Sequence, residues 1–161
     1  MEETRPTTGS LVWHLALRWR AAVDREVAPF GLTHAQYSAL ASLRALARRG
    51  ETPSQRRLAE YTGLGPIYVS KLVRALERGG LVARVTDPTD ARARQLTLTD
   101  QGAEIADRAM TVVRALDAEL TAPLGGPDGS RIRTLGRSLQ TLLQAAPEPE
   151  PEPDVETGDE T

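Results

Sequence analysis

Residues 63–82 read Gly63-Leu64-Gly65-Pro66-Ile67-Tyr68-Val69-Ser70-Lys71-Leu72-Val73-Arg74-Ala75-Leu76-Glu77-Arg78-Gly79-Gly80-Leu81-Val82. Val69, Leu72, Val73 and Leu76 fall at i, i+3, i+4 and i+7, the spacing that puts four side chains on one buried helix face. Gly65-Pro66 starts this helix, since proline fits the first position, where no N–H is needed. Gly79-Gly80 ends it by supplying a left-handed cap. Opposite the apolar stripe lie Ile67, Ser70, Lys71, Arg74 and Arg78, an aliphatic group, a hydroxyl and three cations. A helix inserted in a DNA major groove needs this mix: arginine or lysine for guanine O6/N7 and phosphates, a hydroxyl for either, an aliphatic group for a thymine methyl. The N-terminus held by Gly65-Pro66 would aim free N–H groups at a phosphate. Gly65, Pro66, Ile67, Tyr68, Ser70, Lys71, Arg74 and Arg78 are therefore the candidate DNA contacts on this helix. A merely solvated helix face shows similar charges, so the flanking elements carry the decision.

Working outward, Thr52-Pro53-Ser54-Gln55 has the logic of a capping box, with proline at the first helical position, and opens a short helix that ends about Gly63. Before it, Thr33-His34-Ala35-Gln36 reads as another capping box, opening a helix through Tyr37, Leu40, Leu43 and Leu46. From Ser10 to about Phe30, Val12, Leu15, Trp19, Val23 and Val27 recur every three or four residues, and Pro29-Phe30-Gly31 breaks that first helix. Trp13 and Leu17 lie on its far side, so it is apolar on two faces and has two bodies to pack against. Downstream, residues 81–86 are short and β-branched, Asp87-Pro88-Thr89-Asp90 forms a turn, and residues 94–98 alternate with period two. This is a hairpin with a charged tip, on which Arg84, Arg92 and Arg94 cluster around Asp87 and Asp90. Three guanidiniums on a thin protrusion can enter a minor groove, with Asp90 orienting Arg92 or Arg94; blunting of an edge strand is the alternative. Thr99 caps a fifth helix to about Leu120, Pro123–Pro127 interrupts, and a sixth helix from Asp128 to about Ala145 repeats leucine at 135, 139, 142 and 143. Two short helices around a glycine turn, followed by a hairpin, are the components of a winged helix-turn-helix.

Charge is distributed unevenly over the 161 residues. Seven of the 22 acids lie in residues 147–161, which hold no base, so the body keeps 15 acids against all 20 bases and carries +5. The tail alternates Glu with Pro, a composition that favours solvated, extended chain, and is expected to be disordered. A solubilising role is its simpler reading; competition with phosphates for the basic body is the other. Lys71 is the one lysine among 19 arginines, which favours guanidinium chemistry with phosphates or carboxylates. With no cysteine and only His14 and His34, neither a thiol site nor a multi-histidine metal cage is expected, and no cofactor is implied. No hydrophobic run reaches a membrane span and the first ten residues do not look like a leader, so a cytoplasmic location is expected. No catalytic triad, paired-carboxylate site, P-loop or dinucleotide-binding glycine pattern appears with its required flanks, so an enzyme is not expected.

Leu58-Ala59-Glu60, residues 69–82, the Asp87-Pro88-Thr89-Asp90-Ala91-Arg92 tip and Leu96-Thr97-Leu98-Thr99-Asp100-Gln101-Gly102 together resemble the MarR family of bacterial transcriptional regulators. The resemblance covers about residues 10–145. It implies a mostly α fold, with a winged helix-turn-helix core, long N- and C-terminal dimerisation helices and one β-hairpin wing. It further implies an obligate homodimer on a pseudo-palindromic operator, with one helix per subunit in successive major grooves and a wing in each adjacent minor groove. Repression and a small-molecule effector belong to the same implication. The expected organisation is a flexible 1–9, a helical dimerisation region of 10–32 and 99–145, a DNA-binding region of 33–98 and an acidic tail of 146–161. Where the family usually has two adjacent arginines after the wing aspartate, this chain has Ala91-Arg92, leaving Arg92 alone in that role.

Independently of the resemblance, the leucines of the sixth helix need burial that a partner chain would provide; packing on the first and fifth helices of the same chain is the alternative. Trp13, His14, Trp19 and Tyr37 are the candidate lining of an effector pocket, although aromatic residues at helical spacing also build cores. A winged-helix protein-docking module without DNA binding is the competing function. The +5 body and the cationic helix face favour DNA, because docking surfaces are depleted in charge at their centre.

Overall fold

A computed structural model describes residues 5–86 and 94–146. The described residues divide into two compact units, with the boundary between residues 120 and 121.

In the first unit, helix α1 spans Thr8–Val27 and a 3-10 turn follows at Ala28–Phe30. It starts two residues before the expected Ser10, because Thr7 Oγ1 accepts from the Ser10 N–H at 3.2 Å and supplies the cap. Helix α2, His34–Ala47, opens on the anticipated capping box. Thr33 Oγ1 accepts from the Gln36 N–H at 3.3 Å, and Gln36 Oε1 accepts from the Thr33 N–H at 2.9 Å. Helix α3, Gln55–Thr62, corrects the reading of its start: the cap is Ser54, whose Oγ accepts from the Arg57 N–H at 3.2 Å, and not Thr52. Pro53 stays outside the helix because its carbonyl accepts from the Leu96 N–H at 2.8 Å, a bond to the hairpin that local sequence does not reveal.

Helix α4, Pro66–Arg78, has Pro66 in its first turn and buries Val69, Leu72, Val73 and Leu76, as their spacing requires. It ends where the Leu81 N–H reaches the Leu76 carbonyl and the Gly80 N–H the Glu77 carbonyl, each at 2.9 Å. Gly80 takes the left-handed φ of 69° that this closure needs. Strands β1, Val82–Thr86, and β2, Arg94–Leu98, pair antiparallel from Val82 with Leu98 to Thr86 with Arg94. Helix α5, Asp100–Thr121, begins at Thr99, whose Oγ1 accepts from the Gly102 N–H at 2.9 Å and donates to the Gly80 carbonyl at 2.7 Å. The Thr99 N–H reaches the Leu81 carbonyl at 3.1 Å. A Cβ on residue 102 would lie 1.9 Å from the Leu81 carbonyl oxygen, so only glycine permits this approach of α5 to the end of α4.

The core gathers around α2, which meets α1, α3, α4 and β2. Leu40, Leu43, Leu46, Leu58, Val69, Val73, Leu76 and Leu96 are fully buried there. At about 1.5–3 kcal/mol for each such side chain, this packing fixes the orientation of α4 and of the hairpin base. In the second unit a 3-10 turn, Ala122–Leu124, precedes α6, Ser130–Ala145. Helix α6 starts at Ser130 and not at Asp128, since Gly129 is still extended at φ −64°, ψ 144°. It has no buried residue, and Leu143 is 75% exposed.

Candidate nucleic-acid interface

Packing of Val69, Leu72, Val73 and Leu76 inward turns the opposite face of α4 to solvent. Lys71, Arg74 and Arg78 carry its charge: Lys71 and Arg74 are exposed and Arg78 stands at the end of the helix, with Ser70 half-buried. Ile67 and Tyr68 in the first turn are 61% and 45% exposed. Gly65 provides no side-chain cap and the first turn holds no acid, so the leading N–H groups of α4 face outward without a side-chain acceptor.

Among the described residues, Lys71, Arg74 and Arg78 form no ion pair, whereas the cations beside them do. On α3, Arg56 Nε lies 3.1 Å from Glu60 Oε1, and Arg57 Nε lies 3.6 Å from Glu51 while its guanidinium sits 5.9 Å from the Tyr61 ring centroid. Among the described residues, the three cations on the outward face of α4 that are expected to touch DNA are thus left without an ionic partner.

The hairpin candidates divide. Arg84 Nε is 3.1 Å from Glu77 Oε2, and both side chains are about one-third exposed, so Arg84 braces the hairpin base against the end of α4. Arg94 Nη1 donates across the strands to Thr86 Oγ1 at 3.0 Å. Arg94 also lines a cleft of about 390 Å³ with Glu51, Thr52, Pro53, Ser54, Arg57 and Gln95, between β2 and the start of α3. Asp90 and Arg92, like Asp87 and the acidic tail, lie outside the described residues.

The four residues considered for an effector pocket also divide. Trp19 and Tyr37 are half-buried and pack on the same core, where burial raises the phenol pKa. Trp13 is 64% exposed, and His14 Nδ1 is 2.8 Å from the Ser10 carbonyl, within its own helix. Among the described residues no group of three or more acidic, histidine or cysteine side chains is placed to hold a metal. No described helix is long and apolar enough to cross a membrane.

One cluster escapes the sequence reading. Arg44 on α2 grips Asp107 on α5 with two hydrogen bonds, Nε to Oδ1 at 2.9 Å and Nη2 to Oδ2 at 2.7 Å, and Arg48 adds a third to Oδ1 at 2.8 Å. The Arg44 hydrogen bonds, with the charges of Arg44, Arg48 and Arg114, hold the Asp107 carboxyl below the usual carboxylate range. Arg44 and Asp107 stand 63 positions apart, so no local pattern signals the pair.

These features agree with what comparison with known proteins finds. Residues 30–93 match the sequence model of the MarR family. The chain is 35% identical over 109 residues to the HTH-type transcriptional regulator YdcH of Bacillus subtilis, an overlap of 68% of this chain and 74% of that protein. It is 32% identical over 121 residues to the HTH-type transcriptional repressor Rv2887 of Mycobacterium tuberculosis, covering 74% of this chain and 83% of that one. Among solved structures, the M. tuberculosis transcriptional regulator MOSR in complex with DNA superposes with a TM-score of 0.67 at 26% identity, over 87% of this chain and 98% of that one. The chain belongs to the MarR family of transcriptional regulators, and its winged helix-turn-helix is that family's fold.

Proposed function

We propose that this chain is a homodimeric repressor that places α4 in successive major grooves of a pseudo-palindromic operator and its hairpin in the flanking minor grooves. The observation that carries the reading is the outward face of α4, with three cations that have no ionic partner among the described residues, a hydroxyl and an N-terminus without a side-chain cap, on a helix braced from behind. Residues 33–98 form the DNA-binding region in this reading, with Gly65, Pro66, Ile67, Tyr68, Ser70, Lys71, Arg74 and Arg78 on α4 and Arg84, Asp90, Arg92 and Arg94 on the wing. Repression is supported by the similarity to a repressor, Rv2887, and DNA as partner by the DNA-bound MOSR.

Dimerisation through residues 10–32 and 99–145 is supported by apolar surface on the single chain. Leu11, Val12, Leu15 and Leu17 on α1, and Leu142 and Leu143 on α6, are all exposed large hydrophobics. A small aromatic or lipophilic effector acting near Trp13, His14, Trp19 and Tyr37 completes the proposal. No enzymatic step is assigned.

Fluorescence anisotropy on the DNA flanking the chain's own coding sequence tests the reading, with light scattering reporting the dimer. Binding should tighten at low salt, log K falling by about 0.9 per decade of salt for each phosphate neutralised. Saturable protein capture with no DNA binding at any salt would instead favour a docking module.

A further inference from the structure

The exposed face of α4 is not uniformly cationic, and its most exposed apolar residue is Ile67. Ile67 lies in the same outward row as Lys71, Arg74 and Arg78, opposite the stripe that enters the core, and 61% of it faces solvent. Phosphate binding gains nothing from an aliphatic side chain in that leading turn. Tyr68, 45% exposed, flanks Ile67, while the charged stretch starts a turn later at Lys71. The face thus has an apolar first turn and a cationic remainder, extending about 16 Å from Ile67 to Arg78 at 1.5 Å per residue. In helix-turn-helix docking the N-terminal residues of the inserted helix meet base edges, while charged groups further along can hold the backbone. The major-groove base edge with an apolar group to offer is thymine, through its C5-methyl.

We infer that Ile67 is a specificity-determining residue that reads the C5-methyl group of a thymine in each half of the operator. This deepens the proposed DNA-binding function and rests on it. Recognition at that position depends on the methyl and not on base pairing, so uracil, which pairs identically and lacks only the methyl, is discriminated against.

The experiment uses the full-length protein and duplexes selected by it from a random library. Each thymine of the selected sequence is replaced in turn by uracil, and affinity is measured for the parent, Ile67→Ala and Ile67→Val. Burial of one methyl-sized group corresponds to about 0.8 kcal/mol, which is roughly fourfold in affinity. One thymine per half-site should therefore show a loss of roughly fourfold on uracil substitution, and roughly fifteenfold when both are replaced. Ile67→Ala should bind the thymine and uracil duplexes alike, and Ile67→Val should keep most of the preference. Equal thermal melting of the variants, expected for an exposed side chain, removes misfolding as a cause. If uracil is tolerated at every position, or if Ile67→Ala keeps the parent's thymine preference, the inference is overturned while DNA binding stands. Failure to enrich any sequence overturns the DNA reading and the inference with it.

Discussion

Two arginine-rich regions of this molecule use the same charges in opposite ways. On α2 and at its C-terminal end, Arg44 and Arg48 converge on Asp107 at 2.7–2.9 Å and join that helix to α5. On α4, Lys71, Arg74 and Arg78 have no ionic partner among the described residues. Composition does not separate the two, since every one of these groups contributes equally to the +5 of the body. Pairing does: a guanidinium bound bidentately to a carboxylate is a structural link, whereas an unpaired one on a rigid helix is available to a phosphate or a base.

The joint of α5 to the end of α4 can be broken first, with the largest effect. Gly102→Ala forces a Cβ into the 1.9 Å approach to the Leu81 carbonyl, and should cost about 3 kcal/mol of stability or more, read as a lower melting temperature. The proposed DNA face comes next. Arg74→Ala or Lys71→Ala should cost about 1–3 kcal/mol in operator affinity, with melting unchanged. Loss of discrimination among operator variants would mark a base contact, and a uniform loss a phosphate contact.

Smaller again is Asp107→Asn, expected to cost about 1 kcal/mol of stability, because the pair is partly solvent-exposed. The lowered pKa of Asp107 sets the pH signature. A carboxyl whose folded pKa lies below its ordinary 3.8 stabilises the fold above that value and loses the contribution as pH falls through the lower one. Acid unfolding followed by circular dichroism should therefore show a weaker dependence for Asp107→Asn below pH 3.8. The smallest effect belongs to His34, whose pKa is lowered, chiefly by burial, with Asp24 opposing and Arg20 assisting. Its neutral ring adds stability above 6.5 that declines as pH drops toward the lowered value, and His34→Gln should flatten the melting temperature over that interval.

Most of the fold is legible in the sequence because its signals are local. The Thr33–Gln36 capping box, the buried stripe of α4 and the Gly65-Pro66 start each follow from residues within about two helical turns. The start of α3 is instructive: Thr52-Pro53 is locally a good helix opening, but the Pro53 carbonyl is taken by Leu96, far along the chain. The same holds at the candidate site. Which face of α4 points outward follows from spacing, but the Arg84–Glu77 pair depends on how β1 folds back on α4. The clasp of Asp107 and the closeness of Gly102 to Leu81 likewise join elements distant in sequence.

The salt dependence of operator binding tests the difference between the two regions most directly. Replacing Lys71, Arg74 and Arg78 together by alanine should reduce the magnitude of the slope of log K against log salt by about 0.9 for each phosphate contact removed, while Arg44→Ala leaves it unchanged. An unchanged slope for the triple variant, or an equal reduction by Arg44→Ala, would contradict the assignment of α4 as the surface that meets DNA.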